Sequence, residues 1–379
     1  MKVLFVARRL VRAGAERQLV VLAGELSRAG HEVVVATFRP GPQDSVLPAL
    51  GVRHVLLGGR GGRLLLPWRL ARLARTLRPD VIHGYLDAPN ILAGLTARFA
   101  RPARAVWGLR ASELVVNDLP LPARVLYKID PWVARMAALI IVNSQAGYET
   151  AIARGYPRAR LVVIPNGVDS DHFRDDAEAG RRFRSELGIA SDALVVTRVG
   201  RLHPMKDYET FLDAVARLRD RHPKLVAVCC GDGPTPYAQA LRARATQLGL
   251  ADVVVWCPAS DEMPGLYAAS DLLVSSSAYG EGFPNVVVEA MACEVPCVVT
   301  DVGDSARILG VPPTGAVVPP RDSGAMADAI DEFVSRSAAE RRTIGRLARK
   351  RVAEEYTVAC LGARTIEALA TLLQSSKVS

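Results

Sequence analysis

The residues best suited to chemistry lie in the stretch Ser275–Ala292, SSSAYGEGFPNVVVEAMA. Small polar residues close a strand, a glycine-rich turn carries Glu281, and Phe283-Pro284-Asn285 opens a helix that contains Glu289. Proline near a helix start is harmless, because the first amides have no internal partners. Those amides, with the helix dipole, form an anion site. Glu289 falls one turn below Asn285 on the same helix face, placed to accept hydrogen bonds from a diol beside that anion. Glu281, on the loop in front, reaches a second polyol. A second stretch, VGRLHPMKD (Val199–Asp207), delivers Arg201 and Lys206 just after a strand end. Two cations at the carboxyl edge of a parallel sheet suit a diphosphate in that crevice. There they would stabilise charge gathering on a departing phosphate, an effect worth about 2.7–4 kcal/mol per preorganised group. Spacing alone leaves open that these are solvated surface carboxylates and cations.

Short apolar runs alternate with helical stretches along the chain, as a right-handed, doubly wound parallel sheet requires. Val3–Ala7, His31–Thr37, Pro79–His83, Ala103–Trp107, Leu139–Val142 and Leu161–Ile164 read as one series of strands, with a helix over Ala15–Ala29. The series pauses at Pro165-Asn166-Gly167 and resumes with Ala193–Thr197, Leu225–Cys230, Val253–Trp256, Leu272–Ser275 and Pro296–Thr300. The expectation is an α/β chain of two similar sheet domains, 1–168 and 169–355, with a helical tail from about Ala325 onward whose attachment the pattern does not fix.

Half of the 379 residues are apolar and only 6% aromatic, which favours α/β packing over a β-sandwich. Charge is uneven. Residues 1–165 carry 24 Lys and Arg against 10 Asp and Glu, and the remainder carries 24 against 29. That asymmetry suggests an anionic partner for the first half: a phosphorylated acceptor, a membrane surface or nucleic acid. Arg8, Arg9 and Arg12 could grip an acceptor phosphate. Arg69 and Arg72 belong to a basic segment, Arg60–Arg78, in which Leu66, Leu70, Leu73 and Leu77 can form an apolar stripe. Such a helix can meet anionic lipid, or pack its stripe on its own sheet. The six cysteines form no Cys-x-x-Cys pair and read as buried thiols of a reducing cytoplasm. No leader-like segment and no membrane-length apolar run is expected, so membrane contact would be peripheral.

Taken in order, AGAERQLVVLAGEL, VIHGYLDAPN, IIVNSQAGYE, VIPNGVDSDHF, VGRLHPMKDYETFLDA, GDGP and EGFPNVVVEAMACEVPCVVTDVGDSA resemble retaining glycosyltransferase family 4 over most of the chain. The resemblance implies a GT-B fold: two Rossmann-like domains, an N-terminal acceptor-binding one and a C-terminal donor-binding one, with the substrate cleft between them. It further implies that residues 356–379 pack back on the first domain. It carries the family's Glu-x7-Glu motif onto Glu281, which would contact the transferred sugar, and Glu289, which would contact the nucleotide ribose. The diphosphate cations fall on Arg201 and Lys206, the distal-phosphate amides near Asn285 and Val286, and the glycine loop on Gly14. A family histidine near the reaction centre matches His83, with a strand-end core histidine as the alternative. This chain departs from the pattern in three places. Ala13 replaces the loop's first glycine, Tyr85 and Asp87 stand where further histidines often occur, and Pro258 lies where a glycine often faces the base.

The implied reaction moves a sugar, with retention, from a nucleotide-diphosphate donor, UDP-linked by expectation, to a lipid-linked or polysaccharide intermediate of cell-envelope assembly. A glycosylated natural product is the alternative acceptor. No cofactor or metal is expected, since Asp169-Ser170-Asp171 spells a metal-style motif only in the interdomain linker. A nucleotide-sugar epimerase on the same scaffold would need no acceptor. A dehydrogenase lacks its Gly-x-Gly-x-x-Gly turn after the first strand. Nucleic acid is disfavoured as a partner because the basic half lacks interleaved aromatics.

Overall fold

A computed structural model describes residues 1–59, 62–110, 121–260 and 262–375. The chain divides into two compact units, Met1–Gly167 with the chain from Val358, and Val168–Thr357. These crossings lie within two residues of the boundaries read from sequence.

Among the described residues the first unit holds a seven-stranded, all-parallel sheet in the order β3-β2-β1-β4-β5-β6-β7. Its elements in chain order are β1 (Lys2–Ala7), α1 (Gly14–Arg28), β2 (Glu32–Thr37), β3 (Arg53–Leu56), α2 (Leu66–Leu77), β4 (Val81–Tyr85), α3 (Asp87–Phe99), β5 (Arg104–Leu109), α4 (Leu121–Val133), β6 (Leu139–Val142), α5 (Gln145–Ala153) and β7 (Leu161–Val163). Side chains alternate across the sheet. Phe5 and Val81 join a core with Leu19, Leu22 and Leu26 of α1, while Leu4 and Ile82 pack against Leu66, Leu70, Ala74 and Leu77 of α2. The turn at Gly167 is pinned to α1 by a pair of hydrogen bonds: the Gln18 amide group donates to the Gly167 carbonyl (2.8 Å) and accepts from its amide (3.0 Å).

The second unit holds a six-stranded parallel sheet in the order β10-β9-β8-β11-β12-β13. Its elements are α6 (Ala177–Glu186), β8 (Leu194–Val199), α7 (Tyr208–Leu218), β9 (Leu225–Cys230), α8 (Thr235–Gln247), β10 (Val254–Cys257), α9 (Met263–Ala268), β11 (Leu272–Ser275), α10 (Asn285–Ala292), β12 (Cys297–Thr300), α11 (Ser305–Leu309), β13 (Gly315–Val318), α12 (Ser323–Ser335) and α13 (Ala338–Glu355). Ala348 and Val352 of α13 join the core beneath α10, and Met326 and Ile330 of α12 join the core beneath α7. The last helix, α14 (Val358–Ser375), seats Leu361 and Leu369 in the α1 core of the first unit, where Gly362 gives Glu25 its space. The helical tail is therefore three helices, of which only α14 belongs to the first unit.

Two strands absent from the sequence reading are β3 and β13. The stripe of α2 turns inward: Leu66, Leu70 and Leu77 are buried on the sheet with Ala74, and Leu73 is half-buried against the same core. Its apolar side is thus unavailable to lipid. No helix among the described residues is long and apolar enough to cross a membrane. All six cysteines are free thiols, five of them buried, and burial pushes the Cys229 thiol up to about 12.

Candidate active site

In the second sheet the chain runs from β8 outward to β9 and β10 on one side, and returns to β11 on the other. The carboxyl ends of β8 and β11 therefore flank the topological switch point, where open α/β sheets bind ligands. The loop after β8 carries Arg201 and Lys206, and the loop after β11 carries Glu281. Lys206 ends a one-turn helix over Pro204–Lys206 rather than opening α7, which begins after its cap Asp207. The Lys206 ammonium forms an ion pair with Glu281 Oε1, and Ser277 Oγ donates to the same oxygen at 2.7 Å. Burial pushes the Glu281 carboxyl up. The charge and hydrogen bond of Lys206, the Ser277 hydroxyl and the charge of Arg198 outweigh that and hold it below its ordinary value. Arg201 is exposed and has no hydrogen-bonding or ionic partner among the described residues.

Local sequence explains the rigidity of this edge. Ser275, Ser276 and Ser277 are buried, and the Thr300 hydroxyl bonds the carbonyls of Ser275 (3.2 Å) and Ser277 (2.6 Å). Gly303, at φ +63°, passes so close to the Glu281 carbonyl that a Cβ would lie 2.5 Å from it. Only glycine can hold that loop. Asn285 is the first residue of α10, and its cap, Pro284, supplies no capping side chain. The α10 amino terminus, the positive end of that helix's dipole, follows directly on the Glu281 loop. Buried Glu289 accepts a 2.9 Å hydrogen bond from the hydroxyl of Tyr267.

Next to this edge lies a cavity of about 190 Å³ lined by Leu202, Gly231, Asp232, Arg242, Trp256 and Pro258, among others. The Arg242 guanidinium stands 5.0 Å from the centre of the Trp256 ring. Gly231, at φ +150°, lets the Gly-Asp-Gly-Pro loop pass against the Gly200 carbonyl, where a Cβ would be 1.9 Å away. Leu202, Trp256 and Pro258 give this cavity apolar surface, and Asp232 and Arg242 add one charge of each sign.

The structure thus sets Arg201, Lys206, Glu281, Asn285, Val286 and Glu289 on the segments that follow β8 and β11 of the second unit, with Lys206 and Glu281 in direct contact. The first-unit residues are placed separately. Arg8, Arg9 and Arg12 are exposed on the loop after β1, and Gly14 is the exposed first residue of α1. His83 is 0% exposed and stacks on Phe5 and Tyr85, each at 5.1 Å between ring centres. Burial, then the charge of Arg110, pushes its pKa well down, so the ring is neutral. The ring is enclosed as in the strand-end core alternative, and neither of its nitrogens has a hydrogen-bond partner among the described residues. At the same sheet edge Arg110 donates to the Tyr85 hydroxyl and to Asn166 Oδ1 (3.1 Å). Arg69 is drawn inward, donating to the Leu57 carbonyl at 2.8 Å, whereas Arg72 is exposed over the Trp68 ring. The basic segment's Arg60 and Gly61 lie outside the described residues. Asp169 uses Oδ1 to accept from the amides of Asp171 and His172, and no group of three or more metal-binding side chains occurs among the described residues.

The sequence reading missed Arg198, Ser277, Tyr267 and Arg110. Arg198 had a signal: a lone charge in the apolar run ALVVTRV needs buried partners. Tyr267 had none, since its reach to Glu289 exists only once α9 and α10 are packed.

Comparison with known proteins identifies a two-domain glycosyltransferase of GT-B type. Residues 181–351 match the family model for glycosyl transferases group 1, and residues 12–172 match that of glycosyltransferase family 4. The D-inositol 3-phosphate glycosyltransferase 2 of Catenulispora acidiphila is 30% identical over 347 residues, 84% of this chain and 81% of that protein. The D-inositol 3-phosphate glycosyltransferase of Mycolicibacterium smegmatis is 29% identical over 91% of this chain and 82% of its own length. Among solved structures, HepE of Anabaena in complex with UDP superposes with a TM-score of 0.85 at 25% identity, covering 98% of this chain and 100% of that one. The chain belongs to glycosyltransferase family 4.

Proposed function

We propose that this protein transfers a glycosyl group, with retention and without a metal ion, from a UDP-sugar to a phosphorylated or lipid-linked acceptor of cell-envelope glycan assembly. The carrying observation is the Lys206–Glu281–Ser277 arrangement beside exposed Arg201 at the switch point. In this reading Arg201, Lys206 and the amides near Asn285 and Val286 hold the diphosphate, Glu289 holds the ribose, and Glu281 orients the sugar. The base occupies the cavity at Trp256, and the UDP held by HepE supports uracil there.

The substitution proceeds on one face of the sugar. The bond from the anomeric carbon to the diphosphate oxygen breaks, and that oxygen takes the acceptor hydroxyl's proton. The acceptor oxygen then bonds to the same face. The cations and helix amides offset the charge that grows on the diphosphate. A thermal-shift panel of UDP, GDP and ADP tests the donor. UDP at 100 times its dissociation constant is expected to add about 2.7 kcal/mol of stability. A chain that responds to none of the three contradicts the reading.

The acceptor side rests on the basic first unit and on relatives named for inositol 3-phosphate. Arg8, Arg9 and Arg12 would meet an acceptor phosphate. Outside the buried stripe, Leu64 is 91% exposed, Trp68 58% and Phe99 75%, and α2 carries Arg72 and Arg75 with no acid. Leu64 and Trp68 at the start of α2, and Phe99 at the end of neighbouring α3, offer apolar anchors among cations. Such a surface suits an anionic membrane face, here the inner face of the cytoplasmic membrane. Trp68→Glu is expected to lower co-sedimentation with phosphatidylglycerol vesicles at least threefold while leaving UDP binding unchanged. Equal sedimentation of parent and variant would remove α2 from any membrane contact.

A further inference from the structure

Arg198 lies inside β8, two residues before Gly200, and its side chain is fully buried. A guanidinium stays charged at every pH a protein experiences, so enclosing one is costly unless its donors are met. Here they are met by dipoles. Nε donates to Ser276 Oγ (2.9 Å), one terminal nitrogen to the Val199 carbonyl, and the other to the Lys206 carbonyl (2.6 Å). Its carbon lies 4.7 Å from the centre of the Tyr208 ring. None of these partners is a carboxylate, so the donors are satisfied without the charge being cancelled.

The same groups fix the loop above. Ser276 Oγ, besides accepting from Arg198, donates to the carbonyls of Lys206 (3.0 Å) and Asp207 (2.8 Å). Tyr208 donates to the Gly200 carbonyl at 2.6 Å. Gly200 leaves just enough room: a Cβ there would sit 3.2 Å from the Arg198 guanidinium and 3.6 Å from the Lys206 stem. Arg198 therefore lies directly under the loop that presents Arg201 and Lys206. Its field reaches Glu281, the carboxylate already paired with Lys206. Lys206 and Glu281 compensate one another and the buried Asp207 carboxylate is held by the Thr210 amide and hydroxyl, which leaves Arg198 as the enclosed cation bonded to no carboxylate.

We propose that Arg198 is a positioning residue of the donor site, which sets the Lys206–Asp207 backbone from below and supplies the uncompensated positive charge that a nucleoside diphosphate neutralises. This rests on the reading that the crevice takes such a ligand. It also explains how Lys206 can be shared with a phosphate while Glu281 stays ionised, since a second cation remains beside the carboxylate.

The test compares UDP with uridine by titration calorimetry in the parent, Arg198→Met and Arg198→Lys. In Arg198→Met the preference for UDP over uridine is expected to fall at least about tenfold, while uridine affinity stays within about threefold. Arg198→Lys, which keeps the charge and loses the fork, is expected to hold the preference while kcat falls. A methionine variant that keeps the parent's preference, or that loses UDP and uridine equally, overturns the proposal. Should the methionine variant not fold, a lysine variant whose preference collapses overturns it, and one whose preference persists with a lowered kcat supports it. A parent with no preference for UDP over uridine contradicts the donor-site reading itself, and the proposal falls with it.

Discussion

Lys206→Met is expected to lower kcat by about 10²–10³-fold, the usual effect of removing one preorganised group from developing charge. Its second consequence is structural. Lys206 and Glu281 are both largely enclosed, so the variant leaves a carboxylate buried without its cation. Breaking such a pair by removing one partner typically costs about 3–5 kcal/mol. The loss depends on pH, with a definite sign. In the parent, the Glu281 pKa is depressed, so its contribution is present above the unfolded value and fades as pH falls through the folded one. In the variant burial is opposed only by the Ser277 hydrogen bond and the charge of Arg198, so that pKa is less depressed than in the parent. The variant's stability then improves relative to the parent as pH falls. Urea unfolding at pH 7.5 and pH 5 should show the stability gap narrowing at the lower pH. A gap that widens on acidification would mean that Glu281 does not depend on Lys206 for its charge.

Glu289→Gln is expected to raise KM for the donor by about 10–100-fold with a much smaller change in kcat. A carboxylate accepting from ribose hydroxyls contributes equally in ground and transition states, so its loss appears as uniform binding. Hydrogen bonds to a charged group are worth about 1.5–3 kcal/mol. Tyr267 separates this role from packing, because its hydroxyl orients the carboxylate while its ring fills the core beside Phe173. Tyr267→Phe should therefore give a partial KM effect with an unchanged fold. Steady-state kinetics against donor concentration decide it. A fall in kcat at constant KM in Glu289→Gln would move Glu289 from binding the ribose to assisting the chemistry.

The strands that sequence made legible are those whose residues are apolar on both faces: LVAVCC of β9 and LIIV of β6 are found with the bounds that their composition suggests. β3 was hidden because its four residues, RHVL, are half-buried or exposed at the sheet edge and carry no apolar run. β13, GAVV, pairs with β12 at an edge of the second sheet and is similarly short. In the site, side chains attached to turn and helix-start signals were readable: Glu281 after its glycines, Glu289 one turn into α10, and Lys206 beside Asp207. Of the supporting groups only Arg198 left a signal, as a lone charge in an apolar run, and the partners of all of them depend on the folded chain. Ser277 bonds a residue on its own loop only after Thr300 has fixed its carbonyl, and Arg198 reaches a carbonyl eight positions along the chain. His83 carried two readings for a related reason. A strand-end histidine looks the same in sequence whether its ring faces solvent or the core, and the choice is made by Phe5 and Tyr85 beside it.

A crystal structure of the protein with UDP bound is the most direct measurement. The account places the diphosphate oxygens within hydrogen-bonding distance of Arg201, Lys206 and the first amides of α10, the ribose hydroxyls on Glu289, and uracil in the cavity beside Trp256. A nucleotide bound anywhere else, with the Lys206–Glu281 edge untouched, would contradict it.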